Sequence, residues 1–77
     1  MSKEARAILL LNIYKEENSR LRRETLDRMI EIARQTADKE ITPEESDLKI
    51  MEIEADRELE ETRIEKRFLK AICALEG

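Results

Sequence analysis

The one helix breaker inside this chain is Pro43, and it stands close to the midpoint of 77 residues. The stretch around it, EITPEESDL (residues 40–48), reads as a helix start. Thr42 fits the N-cap, Pro43 fits the first helical position, and Glu45 stands where a capping box places a carboxylate. Glu44, Glu45 and Asp47 crowd a first turn whose dipole favours negative charge. A helix arriving from the N-terminal side has to stop before Pro43, because the ring removes an amide and clashes with the preceding turn. The expected layout is one domain: a helix over about 2–40, a turn at 41–42 and a helix over about 43–75.

Composition supports that division. The single Gly is the last residue, charged residues make up 44% of the chain, and Ala, Leu, Ile, Glu, Lys and Arg dominate. Apolar residues recur at helical spacing throughout, which argues against disorder. The apolar phase also crosses Asn18 and Ser19, so the first helix is expected to continue through these two potential caps. The fold class is therefore all-α: an antiparallel two-helix hairpin, since a turn this short makes its helices antiparallel neighbours.

Folding the sequence about residue 42 sets residue i against roughly residue 84 minus i. Ala33 then meets Met51, Met29 meets Ala55, Leu21 meets Thr62, Tyr14 meets Leu69 and Leu11 meets Cys73. On a helical wheel the second helix carries two apolar stripes on nearly opposite sides. One holds Leu48, Met51, Ala55, Leu59, Leu69 and Cys73, which the pairing assigns to the core within the chain. Leu11, Tyr14, Leu21, Met29 and Ala33 supply the facing side of that core. The other stripe holds Ile50, Ile53, Ile64, Phe68, Ala71 and Leu75 at heptad spacing, with Arg57 and Glu60 in its middle. It has no partner left within the hairpin.

The segment AILLLNIY (residues 7–14) poses the same problem at the N-terminal end. It is apolar nearly all round, and a helix of that kind is usually buried by more than one neighbour. Ile8, Leu9, Leu10 and Ile13 therefore join the second stripe as an expected interface between copies of the chain. The expected partner is the chain itself, first as a homodimer closing a four-helix bundle, with a trimer or larger ring as alternatives. On this reading Ile64→Glu or Phe68→Glu would separate the copies.

Charge is unevenly placed. Residues 24–61 carry five basic and fourteen acidic groups, and the two terminal segments carry ten basic and five acidic. The hairpin thus has an acidic end at the turn and a basic end at the termini, and antiparallel association would bring unlike ends together.

Several chemistries lack their residues. With no His and one Cys, zinc sites of nitrogen and sulfur ligands and carboxylate–histidine di-iron sites have no ligand set. Cys73 and the serines have no imidazole base, and no Gly-rich phosphate loop can be written. No catalytic, cofactor-binding or metal residue is assigned, and an enzyme is not expected. Nucleic acid is the stronger rival, because Arg20, Arg22 and Arg23 lie near Arg63, Lys66, Arg67 and Lys70 in the hairpin register. Interleaved Glu16, Glu17, Glu24, Glu61 and Glu65 weaken it, and interhelix pairs of Arg22 or Arg23 with Glu61 or Glu65 are the expected use of those charges. No run is long and apolar enough to span a membrane, and a lone Cys does not call for an oxidising compartment, so the expected setting is cytoplasmic.

The TPEE cap, the His-free and Gly-free helices, the alternating Glu, Lys and Arg surface and the compact loop resemble de novo designed helical-hairpin oligomers. That resemblance implies self-assembly into a defined symmetric bundle and no natural activity. Small natural adaptor or regulator hairpins share the architecture, and would instead dock on another protein.

Overall fold

The computed structural model describes residues 2–76, which form two helices and the turn between them. Helix α1 spans Lys3–Ala37 and α2 spans Pro43–Glu76. They lie side by side as an antiparallel hairpin with extents of 56 × 15 × 8 Å, a single layer two helices wide. Neither is long and apolar enough to cross a membrane. Helix α1 runs unbroken through Asn18 and Ser19.

Local chemistry accounts for each helix end. Ser2 caps α1, its Oγ accepting from the Ala5 amide at 3.1 Å. At α2 the capping box closes in both directions: the Glu45 amide donates to Thr42 Oγ1 at 3.1 Å, and the Thr42 amide donates to Glu45 Oε1 at 3.4 Å. Such a cap contributes about 1 kcal/mol.

Helix α1 ends at Ala37, three residues before the boundary expected near Glu40. The Lys39 amide donates to the Thr36 carbonyl at 3.1 Å and the Glu40 amide to the Gln35 carbonyl at 2.8 Å. These are the two bonds of a Schellman turn, and they require a left-handed residue between them, here Lys39 at φ 59°. Glycine normally fills that position and advertises the helix end in a sequence. Lysine gives no such signal. Arg34 clamps the same turn, reaching Glu31 at 2.6 Å, Asp38 at 3.0 Å and Glu40 at 3.2 Å.

The register between the arms follows the turn. Arg28 pairs with Asp56 at 3.3 Å and Arg67 with Glu17 at 3.1 Å, both matching the folding of the chain about residue 42. Rotation of α2 about its own axis is different from the expected one. Ile53 and Ile64 are buried against α1 with Ile32, while Ile50, Phe68, Ala71 and Leu75 are half-buried. Phe68 stacks on Tyr14, ring centroids 4.6 Å apart, instead of Leu69 meeting Tyr14.

The two stripes of α2 have therefore exchanged roles. Ile50, Ile53, Ile64, Phe68, Ala71 and Leu75, expected between copies, form the seam inside the hairpin, and Leu10 joins them from α1. Leu48, Met51, Ala55, Leu59, Leu69 and Cys73, expected inside, are exposed. Leu11 and Ala33 of α1 are exposed as well, and Met29 is only half-buried. The physical reason lies in content. The chosen stripe buries Ile53 and Ile64, half-buries Ile50, Phe68 and Leu75, and adds an aromatic stack worth about 0.5–1.5 kcal/mol. The rejected stripe is diluted by Ala55, Thr62 and Lys66, which return less apolar area on burial.

Candidate association surface

Two helices in one layer cannot enclose a core. Among the described residues, three hydrophobic side chains are buried: Ile32, Ile53 and Ile64. Thr25 is buried between them, and its hydroxyl is satisfied by donating to the Leu21 carbonyl at 2.8 Å. Ten large hydrophobic residues among those described remain exposed. The total accessible surface is 6256 Å², against about 4,900 Å² for a compact monomer of this mass by the usual size scaling. The excess exceeds the roughly 800 Å² that each partner contributes to a standard interface.

The exposed apolar residues are not scattered. On α2, Leu48, Met51, Leu59 and Leu69 are 61%, 64%, 52% and 50% exposed. With Ala55, Thr62 and Cys73 they recur every three or four residues, on the side of α2 turned away from α1. This stripe runs nearly the length of the helix, interrupted by one charge, Lys66. On α1 the exposed apolar residues sit at the two ends, with Ile8 and Leu11 near the N-terminus and Leu26 and Ile30 nearer the turn. Lys15, Ser19 and Arg22 occupy the surface between them.

Within AILLLNIY, Ala7, Leu10 and Tyr14 turn towards α2 and are half-buried. Ile8, Leu9, Leu11 and Ile13 stay exposed on both sides of α1. One neighbour helix covers one side of that segment and leaves Ile8, Leu9, Leu11 and Ile13 in water.

Charged groups are arranged for solvent and for helix ends. Arg57 reaches Glu61 at 2.7 Å and Arg63 reaches Glu60 at 2.6 Å, both along α2. The expected pairs of Arg22 or Arg23 with Glu61 or Glu65 are not formed; Arg22 shares an open groove with Glu61 and Glu65 without bonding them. Arg20 and Arg23 line a different surface with Lys15 and Glu16. The arginines of RLRR are thus split between two faces, and Arg67 and Arg63 are engaged by Glu17 and Glu60. The Arg34 clamp holds the Glu31 carboxyl below its ordinary value, chiefly through their hydrogen bonds, and raises Arg34 in turn. Among the described residues no three His, Cys, Asp or Glu side chains converge as metal ligands would.

Local sequence signals could not have revealed the outer stripe as the free surface. Both stripes of α2 are apolar and periodic, and the choice between them rests on what each meets across the hairpin. Comparison with known proteins finds no matching family model, no matching curated sequence and no matching solved structure.

Proposed function

We infer that this chain is a structural self-association module, whose copies pack their exposed apolar stripes together into a helical bundle with no chemistry of its own. A homodimer joined through this stripe brings four helices together, α2 beside α2 with an α1 on each outer side. The observation that carries this reading is the apolar outer stripe of α2, opposite the seam, with Leu48, Met51, Ala55 and Leu59 in succession and Leu69 beyond Lys66. Full burial of each of these half-exposed large side chains would contribute about 1 kcal/mol. Summed over two copies, that is enough to offset much of the cost of association. The resemblance to designed hairpin oligomers points the same way.

Absolute mass in solution tests it. Light scattering across a tenfold concentration range is expected to give a constant multiple of 9.1 kDa. A constant single-chain mass would overturn self-association and make the stripe a docking surface for a different protein, as in an adaptor.

A further inference from the structure

We propose that the second copy lies antiparallel on the outer stripe of α2, about a two-fold axis at the level midway between residues 60 and 61, so that the acidic half of each α2 covers the basic half of the other. This rests on the self-association reading and specifies its geometry.

The stripe itself is nearly symmetric about that point. Reversing α2 about residues 60 and 61 carries Leu59 onto Thr62, Ala55 onto Lys66 and Leu48 onto Cys73, while Met51 and Leu69 fall one residue off each other. Charge then selects the reversed orientation over the parallel one. Residues 44–58 carry seven acidic and two basic groups, and residues 62–75 carry four basic and one acidic. A parallel pair would stack the acidic halves together and set Lys66 against Lys66. In the antiparallel pair Lys66 faces Ala55 of the second copy. Its aliphatic stem covers that small residue while its ammonium reaches the carboxylates flanking it, including Glu52 and Asp56. Among the described residues Lys66 forms no ion pair within its own hairpin, so its charge is free for that use. The surface excess of the isolated hairpin is also sufficient for an interface of standard size.

Cys73 is exposed at one end of the stripe and reports the orientation without any substitution. Nitroxide labels on Cys73 of the two copies would stand about 38 Å apart in the antiparallel pair, at about 1.5 Å per residue, and within about 15 Å in a parallel one. Double electron–electron resonance on the labelled oligomer is expected to give the long distance. A complementary test uses Leu48→Cys with diamide as the oxidant, which accepts the two electrons and two protons released when two thiols join. The introduced thiol and Cys73 of one chain are about 37 Å apart along the helix, so a bond between them has to join two copies. A disulfide dimer linked between positions 48 and 73 is expected, with the parent protein remaining unlinked.

A dimer whose labels are close, or a parent protein that links through Cys73 alone, would overturn the antiparallel geometry and leave self-association standing. An oligomer showing neither the long distance nor the 48–73 link would remove α2 as the interface. A single-chain mass at every concentration would remove both readings.

Discussion

The two sides of α2 make an instructive pair. Each is an apolar stripe of similar length and spacing, yet one is packed on α1 and the other faces solvent. The inner side concentrates its apolar area in Ile53, Ile64 and Phe68, and tolerates Arg57 and Glu60 at its centre because long side chains can carry their charges to the edge of a thin seam. The outer side spreads leucine and methionine between Ala55, Thr62 and Lys66.

The widest separation between the two sides should come from placing the same charge on each. Ile64→Glu buries an unpaired carboxylate in the seam, and a loss of about 3–5 kcal/mol is expected. That exceeds what a two-helix hairpin of this size can spare, so circular dichroism should show most of the helical signal gone. Sequence reasoning assigned this substitution the milder effect of separating copies. Leu59→Glu, on the outer side beside the proposed two-fold axis, is expected to weaken association by about 2–3 kcal/mol, or roughly thirty- to 150-fold. Sedimentation should then show the shift to smaller species while a helical signal persists at high concentration. Equal helicity losses in the two variants would show that hairpin formation and association are one event.

Smaller effects belong to the turn, which both sides share. Lys39 holds a left-handed backbone that costs a non-glycine residue about 1 kcal/mol. Lys39→Gly is expected to raise the midpoint of thermal unfolding by a few degrees without altering oligomer mass. The smallest effect concerns pH. Because the Arg34 hydrogen bonds depress the Glu31 carboxyl below its ordinary value of 4.5, the clamp contributes fully above that value and is lost as pH falls through the depressed one. A carbon-13 titration should place the Glu31 midpoint below 4.5, and Arg34→Ala should return it there.

Much of this architecture was legible before any coordinates. The Thr42–Pro43–Glu45 cap, the two-helix division, the continuity of α1 past Asn18 and the pairing of Arg28 with the Asp56 level all follow from nearest-neighbour chemistry and from the turn position. The Lys39 turn was not legible, since nothing distinguishes that lysine from one on a helix surface. Nor were the seam residues. Leu48, Met51, Leu59 and Leu69 satisfied the same periodic pattern as Ile50, Ile53, Ile64 and Phe68, and folding the chain about its turn aligns either set with α1 equally well.

The sequence by itself determined the elements, their ends and how far along each other they sit, because hydrogen-bonded caps and a short turn act within a few residues. Only the tertiary structure decided which way each helix faces. Rotating α2 by half a turn changes no backbone hydrogen bond and no loop length. It changes only which side chains meet across the seam, and burial of Ile53 and Ile64 together with the Tyr14–Phe68 stack settles that choice.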